Sequence, residues 1–322
     1  MIRRLALLTA LLCLAGWTVT GVAAQQGAPG GSGGIETVHV RDRVWMLVTP
    51  DGNLALQVGS EGALLVDTGR AGTSDAVLAA IRRITSKPLR YIINTSAGPM
   101  QVGNNAELGA LRGGVTGGRG PTPAIIAQEG VLTRLGSPDA NGGKGYPSTG
   151  WPTDAYAGTQ RTIRYNGEAI DIIHVPHAYS DADSLVYFRG SDVVVAGEIY
   201  STVRFALVDR ARGGTVTGVL AGLNRILDIT VPDVVVESFA EGGTLVIPAS
   251  GRLSDEDDVT EYRDMVSIVR DRLADLAGKR LTLDQAKAAR PLIDYEARYG
   301  TPAWTPTMFL EALYAEFAGG VK

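Results

Sequence analysis

Hydrophobic positions from Val44 onward fall into short runs separated by turn residues. Residues 44–48, 54–58 and 63–66 read as strands, broken at Asp51-Gly52 and Glu61-Gly62, where glycine gives the backbone the freedom a tight turn needs. The period then changes. Val77, Leu78, Ile81 and Ile84 recur along one side of a helix and predict one over 74–84. A short buried strand follows at 89–93 and a short helix at 105–111. Residues 142–152 are a loop by composition. Strands are predicted at 162–165, 170–175, 184–188 and 193–196, a helix at 217–227, and strands at 234–236 and 245–247. This order suits two sheets flanked by helices.

The pattern after residue 255 is helical. Ser254, with Asp257 three residues on, reads as an N-cap. Val259, Tyr262, Met265, Val266, Val269, Leu273 and Leu276 then recur at helical spacing. Thr282 with Gln285 starts a second helix that stops at Pro291, and Thr305-Pro306 starts a third carrying Met308, Phe309, Leu313 and Phe317. These methionines and aromatics read as core rather than as a ligand box.

Met1-Ile2-Arg3-Arg4, the apolar run from Leu5 to Trp17 and the small residues Val22-Ala23-Ala24 together read as a signal peptide over 1–24. The run is shorter than the roughly 20 residues of a membrane span, so no stable anchor is expected after cleavage. Export to the periplasm or the extracellular space follows. The only cysteine, Cys13, lies in that run, leaving the mature chain without disulfides or thiolate ligands. A Gly-rich linker is expected over 25–36, a main domain over 37–255 and a helical extension packed on it over 256–322. With 45% apolar and 20% charged residues the 322-residue chain can bury a sizeable core. Its net charge of −4 and lack of a basic run exclude nucleic acid as an expected partner.

Several segments carry a resemblance. Asn94-Thr95-Ser96-Ala97-Gly98-Pro99-Met100-Gln101-Val102-Gly103-Asn104-Asn105 follows a predicted strand and resembles Asn-Thr-His-x-His-x-Asp-His-x-Gly-Gly-Asn of the metallo-β-lactamase superfamily. Val66-Asp67-Thr68-Gly69 resembles the family's early strand-turn aspartate. The segment from Pro176 to Ser184 resembles Pro-x-Ala-His-Thr-Asp-Gly-Asp-Ser. Gly197-Glu198-Ile199-Tyr200 resembles Gly-Asp-Ile/Leu-Phe, and Ile247-Pro248-Ala249-Ser250-Gly251 resembles Ile-Pro-Gly-His-Gly. The resemblance implies an α+β chain: an αβ/βα sandwich of the metallo-β-lactamase type with its site along one edge of the sheets, here with a C-terminal helical extension.

The same alignment places Ser96, Gly98, Met100, Gln101, Tyr179, Glu198 and Ser250 where the family has its metal ligands. Catalytic zinc takes about three ligands from His, carboxylate and thiolate. Hydroxyls, an amide, a thioether and a glycine do not supply them, and a tyrosine must first lose a proton with a pKa of about 10. Only Glu198 is an ordinary ligand. No cofactor is therefore expected, although zinc is what the family implies. Without a metal to lower the pKa of a bound water, the hydroxide nucleophile is lost.

Asp67, His177, Asp181, Asp183 and Glu198 are the pocket candidates, and no catalytic residue is assigned. His174 and His177 with Asp181, Asp183 and Glu198 could form a rearranged metal site, but Asp181 and Asp183 match residues that form a turn beside the ligands. Ser96 or Ser250 as a nucleophile needs a nearby base, for which His177 is the candidate. The expected function is that of an exported, non-catalytic binding protein, a pseudoenzyme taking a small molecule in the pocket. A hydrolase with a rearranged or metal-free site is the alternative. A scaffold that pairs with an active paralogue, a protein partner or a second copy of itself is the third reading.

Overall fold

Strand alternation assigns the two faces of the first sheet to different cores. Leu64 and Val66 point one way and Leu65 the other; Ile93 points one way and Ile92 the other. In the computed structural model, which describes residues 34–112, 120–137, 145–236 and 239–318, both faces are covered. The signal-peptide reading over 1–24 lies outside the described residues. So does the linker as far as residue 33, and its last residue, Glu36, already belongs to a strand.

The first sheet runs in the order β1 (Glu36–Arg41), β2 (Val44–Thr49), β3 (Gly52–Gly59), β4 (Gly62–Val66), β5 (Leu89–Ile93), β6 (Ala124–Gln128) and β7 (Asp154–Tyr156). It is an antiparallel meander up to β4 and parallel from β4 to β7. The crossover between β4 and β5 is α1 (Ser74–Ile84). After β5 come the short helices α2 (Pro99–Val102) and α3 (Asn105–Gly109), and after β6 comes α4 (Glu129–Gly136). The second sheet contains β8 (Gln160–Tyr165), β9 (Glu168–Val175), β10 (Asp183–Phe188), β11 (Val193–Val195) and β14 (Leu245–Ile247). It is antiparallel from β8 to β11, and β14 lies parallel to β11. Between β11 and β14 the chain makes α5 (Val216–Ile229) and a hairpin of β12 (Val234–Val236) and β13 (Phe239–Glu241).

Val44, Met46, Leu64, Val66 and Ile93 of the first sheet meet Ile170, Ile172, Val186, Phe188 and Ile247 of the second between the layers. The outer face of the first sheet packs Leu56, Leu65 and Ile92 against Val77 and Ile81 of α1. The outer face of the second packs Val175, Leu185, Val194 and Val246 against Val219 and Leu223 of α5. The fold is an αβ/βα sandwich.

The C-terminal helices α6 (Glu256–Gly278), α7 (Leu283–Ala288), α8 (Glu296–Tyr299) and α9 (Pro306–Ala318) continue this last core through Tyr262, Val266, Leu292, Phe309 and Leu313. The Thr282–Gln285 capping box is present. The α6 cap is shifted by one residue from the expected Ser254. Asp255 accepts from the Asp258 backbone, while Ser254, past the end of β14, pairs its backbone with Val246 of that strand. β6, α4 and β7 were not legible from the pattern, and the helix expected over 105–111 ends at Gly109. Among the described residues no helix is long and apolar enough to cross a membrane.

Candidate functional site

The segments with the family resemblance converge at the C-terminal ends of β4, β5, β9, β11 and β14, along one edge of the sandwich. Polar residues that fix the backbone hold them there. Asp67, directly after β4, has a left-handed backbone (φ 62°), which a non-glycine residue keeps only when its surroundings enforce it. Its carboxylate supplies that enforcement: it accepts hydrogen bonds from Thr95 N and Thr95 Oγ1, both at 2.7 Å. Asp67 thus braces the loop after β5, a larger role than holding its own turn. Asn94 and Asn105 exchange two side-chain hydrogen bonds of 2.8 and 3.0 Å, and Asn94 Nδ2 also donates to Gln101 O at 2.7 Å. Thr68 Oγ1 reaches Gln101 O and Asn105 Oδ1, both at 3.1 Å. Gly103 admits no Cβ, because one would lie 2.4 Å from Ala71 N and from Gly69 O. These contacts account for the residues shared with the family motif.

Inside this frame, Ser96, Gly98, Gln101, Tyr179 and Glu198 come together. A Cβ on Gly98 would lie 2.4 Å from Gln101 Oε1, 3.2 Å from Ser96 Oγ and 3.3 Å from the Tyr179 ring. Gln101 Nε2 donates to Glu198 Oε1 at 3.2 Å. The other oxygen, Glu198 Oε2, accepts from a guanidinium nitrogen of Arg204 in an ion pair whose side chains are 9% and 14% exposed. Both oxygens of the one ordinary ligand position are therefore engaged. Met100 and Ser250 lie to one side. The Met100 methyl approaches Gly52, and Ser250 Oγ hydrogen-bonds Ser201 Oγ at 2.9 Å.

Arg204 is the residue the sequence reading missed. Its only signal was a lone charge between Val203 and the apolar run from Phe205 to Val208. The C-terminal helices position it: Tyr262 of α6 donates its hydroxyl to Arg204 O at 3.0 Å, and Phe205 N donates to Tyr299 O at 3.0 Å. Burial opposes the Arg204 charge, but the charge and hydrogen bond of Glu198 outweigh it and hold the guanidinium above its usual pKa.

Burial also dominates the neighbouring acids. It pushes Asp67 up to about 8 against its two hydrogen bonds from Thr95, and Asp183 up to about 8 against those from Ser180. Glu198 adds a smaller repulsion to each. Tyr179 is pushed up to about 12, again mainly by burial, which favours the neutral phenol. Asp183 closes a turn by accepting from Ser180 N at 2.6 Å and Ser180 Oγ at 2.8 Å.

The remaining candidates lie outside this cluster. Asp181 pairs with Arg134 of α4. His177 is exposed, with φ 62°, and its Nδ1 lies 3.0 Å from Gly213 O. His174 Nε2 lies 3.0 Å from Asp181 O. Among the described residues no group of three or more His, Cys, Asp or Glu side chains could hold a metal ion.

The sequence matches no family model, and no curated protein matches it. Solved structures match the fold. A metallo-β-lactamase from Pontibacter korlensis aligns with a TM-score of 0.55 at 14% identity, over 72% of this chain and 99% of its own. The DIM-1 metallo-β-lactamase aligns at 0.54 and 12% identity, over 73% of this chain and 98% of its own. The stereoselective inverting sec-alkylsulfatase Pisa1 from Pseudomonas sp. aligns at 0.64 and 14% identity, over 89% of this chain and 50% of its own. The chain is an α+β protein with the metallo-β-lactamase-type αβ/βα sandwich.

Proposed function

We propose that this chain is an exported, non-catalytic member of the metallo-β-lactamase superfamily, a pseudoenzyme whose former metal site binds a small molecule. One observation carries the reading: Glu198 shares its two carboxylate oxygens between the Gln101 amide and the Arg204 guanidinium. A carboxylate so engaged has its charge already balanced by Arg204, and a metal ion would have to compete with that guanidinium for it. The other residues at the aligned ligand positions, Ser96, Gly98, Met100, Gln101, Tyr179 and Ser250, do not suit zinc. The residues present do not fit the metal that the fold family implies. The hydroxyl pair of Ser201 and Ser250 also lacks an activating group: among the described residues neither has a histidine or carboxylate hydrogen-bond partner. Export rests on the signal-peptide pattern over 1–24.

Elemental analysis of the purified mature protein tests the reading. Zinc well below one ion per chain is expected, with no hydrolysis of β-lactams, alkyl sulfates or simple esters beyond a denatured control. Stoichiometric zinc, removed by a chelator with loss of stability, would overturn it. Turnover that survives chelation and disappears in Ser96→Ala or Ser250→Ala would favour a metal-free hydrolase instead.

A further inference from the structure

A cleft opens between the second sheet and α5, and two local rules assemble its walls. Gln160 of β8 pairs with Ile173 of β9, so their side chains share a face of the sheet, and Val175, two residues on, lies on the same face. Ala221 and Arg225 of α5 are four residues apart and stand on one face of the helix. All five line one cavity of about 330 Å³. That is enough room for a small organic molecule. Ile173 and Val175 are buried and supply an apolar wall. Arg225 supplies the charge. Its side chain is partly buried, and among the described residues it makes no hydrogen bond or ion pair. Arg161 of β8 and Arg263 of α6, by contrast, are paired with Asp154 and Asp264. No acidic side chain lines the cleft, and Asp228, three residues further along α5, is exposed. Gln160 gives one amide hydrogen to Thr162 Oγ1 at 3.4 Å and keeps the other.

We propose that this cleft binds a small aliphatic carboxylate. The two coplanar oxygens of a carboxylate match the guanidinium fork of Arg225, and the Gln160 amide is a further donor. One free cation with no acid beside it matches a single negative charge. A cation would be repelled, and a doubly charged anion would bring one charge too many. The apolar wall of Ile173, Val175 and Ala221 takes the hydrocarbon part, which a bare anion lacks. The cleft shares no residue with the Gln101–Glu198–Arg204 cluster, so this proposal is independent of whether that cluster holds a metal.

The test titrates the purified mature protein with hexanoate, acetate and hexylammonium at neutral pH, followed by backbone amide NMR. Hexanoate is expected to shift the amides of Gln160, Ile173, Ala221 and Arg225 saturably. It should bind about tenfold more tightly than acetate, from the apolar contact, and hexylammonium should not compete with it. Arg225→Gln is expected to weaken hexanoate by about tenfold or more, the worth of a hydrogen bond to a charged group. Ala221→Leu, at an exposed helix position, should fill the cleft and abolish the saturable shifts. Absence of saturable shifts at these residues in the unaltered protein would overturn the proposal. So would hexylammonium binding as well as hexanoate, or hexanoate binding unchanged in a folded Arg225→Gln. If Arg225→Gln fails to fold, the probe ranking and Ala221→Leu decide, and hexanoate retained in that variant would overturn it too.

Discussion

Arg204 and Glu198 form an ion pair with both side chains largely buried, on a loop whose backbone is tied to the C-terminal helix α6 through Tyr262. The guanidinium supplies the positive charge that a carboxylate in this setting needs. Losing one partner of such a pair is worse than losing both, because the survivor stays buried and uncompensated. Arg204→Ala is expected to destabilise the fold by about 3–5 kcal/mol, and the double variant Arg204→Ala/Glu198→Gln by clearly less. Urea unfolding of the two single variants and the double one measures the coupling. Additive losses would show that the pair is not coupled.

Asp67 and Asp183 give the protein a pH dependence of definite sign. Their folded pKa values of about 8 lie above the ordinary 3.8, so the fold favours their protonated forms. Their contribution to stability is complete below pH 3.8 and is lost as pH rises toward and through about 8. Stability measured by denaturant unfolding should therefore fall between mildly acidic and mildly basic pH, and Asp183→Asn should flatten that fall. A slope that rises over the window in the unaltered protein would contradict the assignment.

Gly218 lies inside α5, where alanine has the better helix propensity by about 1 kcal/mol. A Cβ there would sit 1.7 Å from His177 O, which is also the acceptor for Thr215 N and Thr215 Oγ1. Gly218→Ala is expected to destabilise by about 3 kcal/mol. At Gly278, the last residue of α6, a Cβ meets nothing, so Gly278→Ala is expected to be neutral or to stabilise by up to about 1 kcal/mol. Thermal melts should fall clearly for Gly218→Ala and stay level or rise for Gly278→Ala.

Glu316 of α9 caps a different helix. It accepts from Val216 N, and from Thr217 N and Thr217 Oγ1 at 3.3 and 3.2 Å, at the N-terminus of α5. Glu316→Ala is expected to cost about 1–2 kcal/mol. It should also speed proteolytic trimming of α9, which mass spectrometry of a timed digest would detect. Unchanged trimming would show that the cap does not hold the extension in place.

Installing the metallo-β-lactamase ligand set at the aligned positions tests whether the loop frame can present it. Ser96→His, Gly98→His, Met100→Asp, Gln101→His, Tyr179→His, Glu198→Asp and Ser250→His together should create zinc affinity. Adding Arg204→Ala should raise it, since the guanidinium otherwise competes for the acidic position. Supporting residues typically matter by about 10–100-fold in affinity, so even weak binding fits. A folded variant that binds no zinc by calorimetry would show that the backbone at these positions has moved.

Periodicity located α1 to the residue because four apolar positions on one face pack on the sheet whatever else happens. It also located β5, β12 and β14 to the residue. It missed β7, three residues whose strand identity comes from parallel pairing with β6. It put the α6 cap on Ser254, which the chain instead uses at the sheet edge: its backbone pairs with Val246 and its hydroxyl accepts from Tyr200. Of the pocket candidates, Glu198 lies in the cluster and Asp67 and Asp183 brace Thr95 and Ser180, while His177 and Asp181 turn to Gly213 and Arg134. Neighbours distant in the chain set those orientations, so no local pattern carries them.

The sequence by itself determined the layers of the fold and which side chains occupy the positions that align with the metallo-β-lactamase ligands. Burial parity along a strand and residue identity at a position are both local properties. Only the tertiary structure decided where those residues point and what neutralises Glu198. The C-terminal helices hold Arg204 against Glu198, and Asp67 reaches across to Thr95. Such long-range pairings depend on how the layers close on one another.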